Sequence, residues 1–282
     1  MQFVIILYCF SNVTTNIDKQ MNAIKKIFLI ISFIGSSPSF ICGQSTFPLK
    51  PIEDPGVILK SEVDLLRYNQ DYLRLSEDFI GFDNSNRRID KRTFFKLFSE
   101  GDYLPLRLIS KNKLACYKLY KVSSALNDGI LSILKDWGEL DYKYFKMEGR
   151  KLPGFDFRDI QGNIYNRETT RNKTVVIKCW YLACSACREE IPTLNKIVDQ
   201  YRKRKDIVFI SLVFDSKDDL QKFSKDNIFK YALIPNQKNY LMNELKIYLY
   251  PTQMIINKQG LISKVLVGSD ELASIINTEA SK

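Results

Sequence analysis

The sequence predicts an α/β protein: a central mixed sheet flanked by helices, preceded by a small α+β domain and a signal segment. Three observations carry this. Val175-Val176-Ile177 is a β-branched apolar run within a strand over residues 174–180, and after a short turn apolar residues recur at 187, 191, 194, 198 and 201, the spacing of one helix face. Residues 207–214 are almost all apolar, as in a strand buried on both faces, and a helical pattern follows at 218–225. Finally, 252–256 and 261–267 read as strands joined by Asn257-Lys258-Gln259-Gly260, whose glycine suits a hairpin turn.

The other elements follow in order. Three prolines, Pro48, Pro51 and Pro55, make the stretch around 47–54 an extended linker. Residues 93–98 are a short aromatic-rich helix, and 104–110 and 114–122 flank Lys111-Asn112-Lys113 as a hairpin. Apolar residues at 126, 130, 133, 134 and 137 give a helical face over 125–137. Tyr142, Tyr144 and Phe145 suit a core or domain interface, and Cys116 a buried structural thiol. Gly, Pro and charged residues cluster near Gly149, so the expected division is 1–43, 44–148 and 149–282, the middle part without an assigned role. Residues 155–160 and 164–166 flank Gln161-Gly162-Asn163 as a hairpin-like entry to the last domain. Residues 231–234 are a short strand and 239–245 a helix, and a closing helix at 269–276 takes Ser269 or Asp270 as its cap.

Cys184 and Cys187 form a C-x-x-C at the strand-to-helix junction. A thiol in the first turn of a helix meets unpaired backbone N–H groups and the positive end of the helix dipole, which favour thiolate. Thiolate is the nucleophile of disulfide exchange, so Cys184 is the expected attacking sulfur. Cys187, one turn on, can close a ring upon it, and Arg188 adds positive charge nearby. A plain staple and half of a zinc site are the competing readings. So small a loop removes little chain entropy, and a structural zinc site needs four ligands in a chain without histidine.

From about Leu152 onward the sequence resembles the thioredoxin-like fold, and within it the TlpA/ResA family of extracytoplasmic thiol–disulfide oxidoreductases. The residues carrying the resemblance are Leu152-Pro153-Gly154-Phe155, the run from Trp180 through Cys184-Ser185-Ala186-Cys187 to Leu194, and Tyr250-Pro251-Thr252. It implies that Pro251 is a cis-proline facing the cysteines, that the Tyr250 backbone pairs with substrate as an added strand, and that Pro192 kinks the helix as a structural residue. Elements 231–234 and 239–245 correspond to the insertion such proteins carry. The chain also departs from the family: Ser185-Ala186 replace a dipeptide that often holds proline, and Ala183 stands where tryptophan is common. Lys178 occupies a position that is a buried acid in thioredoxin and often asparagine in ResA-like proteins. Its amine either points at the site, favouring thiolate and shuttling protons, or snorkels to solvent. Glu189 and Glu190 read as solvated helix residues, with tuning of proton transfer by either as the alternative, and Cys179 as a core thiol.

Lys25 and Lys26, the apolar stretch 27–34 and the small residues Gly35-Ser36-Ser37 read as an export signal starting at Met21, with residues 1–20 an overrun. Cleavage after Gly43, a lipid-modified Cys42 and an uncleaved anchor are the alternative forms of the N-terminus. The net charge of +10 is spread along the chain, and Arg202-Lys203-Arg204-Lys205 suits the C-terminal end of a helix, so nucleic acid is not an expected partner.

The expectation is an enzyme, a periplasmic or cell-envelope thiol–disulfide oxidoreductase of the disulfide reductase or isomerase type, needing no metal or cofactor. Cys184 and Cys187 are catalytic, Tyr250, Pro251 and Thr252 hold substrate, and Trp180, Lys178 and Arg188 support. The resemblance implies protein thiol substrates, a membrane electron donor, and roles in redox homeostasis such as cytochrome c maturation. A non-catalytic envelope scaffold is the alternative. A thiol peroxidase is disfavoured because Tyr181 stands where a peroxidatic site has threonine or serine, and a copper chaperone because the chain has no histidine.

Overall fold

The computed structural model describes residues 50–110 and 114–281. The expected signal segment, with Met21, Cys9 and Cys42, lies outside them, as do the first residues of the linker and the turn 111–113.

The first half builds a four-stranded sheet that the sequence pattern did not reveal as such. A short helix α1 (Pro55–Ile58) precedes α2 (Glu62–Tyr72), where Ser61 caps by accepting from the Asp64 N–H at 3.1 Å. Strands β1 (Phe79–Phe82) and β2 (Arg88–Ile89) pair antiparallel, and α3 (Lys91–Phe98) starts on Asp90, which accepts from the Thr93 N–H. Helix α3 is the expected aromatic helix, and Phe94, Phe95 and Phe98 form its buried face. The expected hairpin is β3 (Tyr103–Arg107) with β4 (Ala115–Lys121), and β4 also pairs parallel with β1, giving the order β2-β1-β4-β3. Helix α4 (Asp128–Phe145) is longer than its apolar pattern indicated, because Tyr142, Tyr144 and Phe145 continue it. Its Ile130 and Leu134 close the core over this sheet, while Tyr144 joins the core of the second.

The second half opens with the hairpin β5 (Asp156–Arg158) and β6 (Ile164–Asn166), whose turn is tied by the Asp159 carboxylate accepting from the Gln161 and Asn163 N–H groups. Strand β7 (Thr174–Trp180) is buried at every position: its apolar residues suit a central strand, and Lys178 is buried with a partner described below. It lies at the centre of the order β11-β10-β7-β8-β9, parallel to β8 (Ile207–Val213) and antiparallel to β10 (Thr252–Ile256). Strands β9 (Ala232–Ile234) and β11 (Ile262–Val267) are the edges. This is the predicted mixed sheet, with helices α5 (Ser185–Glu189), α6 (Ile191–Gln200), α7 (Lys217–Asp226) and α8 (Leu272–Ala280) packed around it.

Three expected elements differ. The long helix after Cys184 is two helices, broken where Pro192 takes a first-turn position of α6, because proline has no N–H to continue the ladder. Residues Tyr240–Glu244 form a π-helical turn rather than an α-helix. Helix α8 has Glu271 rather than Ser269 or Asp270 at its N-cap, and no side-chain cap bond. Glu271 is engaged elsewhere: its carboxylate accepts from the Ser76 and Glu77 N–H groups at 3.0 and 3.2 Å.

Alternation along β7 decides what faces what. Val175, Ile177 and Cys179 point into one core with Ile210, Leu212 and Met254. Val176 and Trp180 point to the opposite side, into two separate clusters: Val176 with Leu194, Ile197, Ile255 and Leu266, and Trp180 with Cys184, Cys187, Ile191 and Val213. Between them runs a polar row, since Lys178 is in register with Gln253 on β10 and with Ser211 on β8. All three are fully buried.

Candidate functional site

Cys184 and Cys187 are joined in a disulfide with Cα atoms 5.2 Å apart. Cys184 is the N-cap of α5 in extended backbone, and its Sγ accepts from the Cys187 N–H at 3.1 Å. That N–H is one of the helix's unpaired donors, and in the reduced state it faces the charge of a Cys184 thiolate. Cys184 is 8% exposed and Cys187 fully buried, so an incoming sulfur reaches Cys184 first.

The turn leading to Cys184 is held from two sides. Asp215 Oδ2 accepts from the Leu182 N–H at 2.7 Å. Tyr181 stacks on Phe214 at 5.4 Å and meets Tyr250 edge-on at 5.7 Å, and Phe214 also meets Tyr250 at 5.0 Å. Tyr181 and Tyr250 pack against the buried cluster that contains the disulfide, and Phe214 backs both rings from the neighbouring core. The Tyr250–Pro251 peptide is cis, and Thr252 pairs with Cys179 on the neighbouring strand. Thr252 itself is inward-facing: its hydroxyl meets the Tyr144 hydroxyl at 2.9 Å. The structure thus brings Tyr250, with Pro251 next to it in the chain, to the cluster of the disulfide; the Thr252 side chain is buried behind them, and Arg188 is exposed in the last turn of α5.

Lys178 does not snorkel. Its side chain is wholly buried and its Nζ lies 2.5 Å from Glu190 Oε2. Glu190, expected in solvent, is a correction: the α5–α6 break turns it inward, where it also accepts from Gln253 Nε2 at 3.2 Å. Glu189 is exposed, as expected. Burial pushes the Lys178 amine below its ordinary range, and the Glu190 charge opposes that shift. Gln253 Oε1, Ser211 Oγ and Trp180 Nε1 are buried without a hydrogen-bond partner, so the surroundings of the ion pair retain unused polar capacity. Cys179 sits on the other face of β7, and burial pushes its thiol up to about 12, which makes it a poor nucleophile.

Sequence reasoning missed Gln253 and the rings of Tyr181 and Phe214. Gln253 had a signal, a lone amide inside the run Thr252-Gln253-Met254-Ile255-Ile256. The rings come from different elements and meet only in the fold. No metal-holding group of three or more acidic, cysteine or histidine side chains occurs among the described residues.

Residues 149–265 match the AhpC/TSA family model. The thiol–disulfide oxidoreductase ResA of Geobacillus thermodenitrificans is 23% identical over 121 residues, covering 43% of this chain and 70% of that protein. The thioredoxin-like protein YneN of Bacillus subtilis is 23% identical over 124 residues, covering 43% and 72%. Among solved structures, StoA from Bacillus subtilis is 19% identical with a TM-score of 0.39, covering 44% of this chain and 96% of that one. The C-terminal part of the chain thus matches the AhpC/TSA family model and is similar to the ResA thiol–disulfide oxidoreductases.

Proposed function

We propose that the chain is an extracytoplasmic thiol–disulfide oxidoreductase that reduces protein disulfides in the cell envelope. In the dithiol state the Cys184 thiolate attacks a substrate disulfide, forming a mixed disulfide and releasing one substrate thiolate. Cys187 then attacks Cys184 Sγ, which closes the Cys184–Cys187 disulfide and releases the second thiolate. Two electrons pass to the substrate; the Cys187 thiol proton goes to one leaving sulfur, and the other takes from solvent the proton that Cys184 had released. A membrane electron donor restores the dithiol.

The observation that carries this reading is the closed disulfide at a strand-to-helix junction, in a cluster flanked by Tyr181 and Tyr250. The Pro251 carbonyl is already taken by the Gly268 N–H at 3.2 Å, so pairing with an extended substrate falls to the Tyr250 backbone. The export pattern from Met21 supports the address, and its apolar stretch supports attachment at the N-terminus. Each sheet has its own core, bridged by Tyr144 of α4, and this supports a division near 148/149.

Trapping tests the reading. Cys187→Ser leaves an attacking sulfur with no resolving partner, so it accumulates mixed disulfides with envelope proteins, while Cys184→Ser accumulates none. Equal, unimpaired function of both variants in cells would instead assign the chain a scaffold role.

A further inference from the structure

At the end of the sheet away from the disulfide lies a cavity of about 220 Å³. Its floor is apolar and belongs to the core: Leu152, Val175, Ile177, Ile210 and Ile256, none more than 5% exposed. Val175 and Trp180 are five residues apart on β7, so the floor is about 16 Å of strand from the start of the turn that carries Cys184. The mouth has the opposite character. Lys151, Arg167, Arg171, Lys173 and Lys258 line it, with no carboxylate among the lining residues.

These cations are poorly compensated. Lys258 lies 3.4 Å from Asp206, but that carboxylate is also paired with Arg204. Arg167 donates to the Leu152 carbonyl at 3.2 Å and Lys173 to the Thr169 carbonyl at 2.9 Å, bonds that orient the side chains without neutralising them. Five positive charges at one opening repel one another, and an anion there relieves the repulsion. Two are guanidinium groups, whose planar fork matches a carboxylate or phosphate. Water gains little in the depth of the cavity, because an apolar floor offers it few partners, and a dry apolar cavity of about 150 Å³ already accepts benzene.

We infer that this cavity binds a small amphipathic anion, a ring or short alkyl chain headed by a carboxylate or phosphate, with its apolar body against Val175, Ile177 and Ile210 and its head between Arg167 and Arg171. The site is separate from the disulfide and independent of the redox reading.

Calorimetric titration of the full chain with octanoate tests it, with octylammonium and inorganic phosphate as probes lacking the right head and the tail. Octanoate binds with one-to-one stoichiometry, octylammonium does not, and phosphate binds at least tenfold more weakly. Arg171→Glu and Lys151→Glu, both at the exposed mouth, each weaken octanoate at least tenfold while circular dichroism and disulfide exchange stay unchanged. Absence of octanoate binding, equal binding of octylammonium or phosphate, or indifference to both substitutions overturns the inference. Phosphatidylglycerol vesicles distinguish the source: vesicle binding that octanoate displaces assigns the anion to lipid, and octanoate binding without vesicle binding assigns it to a free molecule. Vesicle binding that octanoate leaves untouched places the contact outside the cavity and also overturns it.

Discussion

Lys178 Nζ and Glu190 Oε2 stand 2.5 Å apart, linking the central strand to the break between the two helices that follow the disulfide. The lysine has no exposed side-chain surface and the glutamate 13%. Removing one partner from such a pair leaves a largely desolvated charge, which is costly, whereas replacing both by neutral groups of similar shape is often tolerated. Lys178→Met therefore lowers stability by about 3 kcal/mol in urea unfolding, and Lys178→Met with Glu190→Gln recovers most of it. The single variant also leaves an unbalanced carboxylate one turn after Cys187, so the thiol pKa of the reduced pair rises, read from thiolate absorbance against pH.

Asp141, half-buried on α4, is pushed up to about 7 by burial, with the negative charge of Glu271 adding to the shift. An acid with a raised native pKa holds its proton in the folded state after the unfolded chain has released it. The native state then binds more protons than the unfolded state between about pH 4 and pH 7, so stability falls as pH rises through that window. The full loss attributable to this group is at most about 4 kcal/mol. In thermal melts, Asp141→Asn flattens the decline between pH 4 and pH 7.

Gly138 allows α4 to cross the end of α3. A Cβ there would lie 2.2 Å from the Phe98 carbonyl oxygen and 2.6 Å from its carbon, and backbone cannot swing aside as a side chain can. Gly138→Ala gains about 1 kcal/mol of helix propensity but is outweighed by overpacking, for a net loss of about 1–3 kcal/mol. Chemical denaturation measures this, and the redox potential of the disulfide stays unchanged.

Tyr250 touches the rings of Tyr181 and Phe214, and its hydroxyl donates to the Ile247 carbonyl at 2.7 Å. If these rings seat a polypeptide, Tyr250→Ala lowers kcat/KM toward a protein disulfide about tenfold, about 1.4 kcal/mol of transition-state binding. Exchange with a small dithiol, which needs no seat, changes little.

Much of the redox half was legible because its signals are local. The apolar run Val175-Val176-Ile177 gave β7, the C-x-x-C marked the turn, and Pro192, expected as a kink, is where the structure breaks the helix in two. The first half carried weaker signals: β1 and β2 are 4 and 2 residues long, and β1 finds its parallel partner β4 more than thirty residues on, so no local period reveals the sheet. Glu190 was misplaced for a related reason. Next to Glu189 it reads as one of two solvated acids, and only the helix break and the position of Lys178 turn it inward. Lys178 itself had two readings because a lysine in a buried strand needs a partner, and that partner lies twelve residues away on another element.

The most direct measurement is the reduction potential of the Cys184/Cys187 pair, by equilibration of the protein in defined thiol buffers. Trp180, buried in the same cluster as both cysteines, reports the change by fluorescence. A reversible two-electron transition near −270 mV, about that of thioredoxin, is the predicted result for an envelope reductase. A value near about −120 mV would reverse the direction and make the chain a disulfide donor, and no reversible transition at all would contradict disulfide exchange at this site.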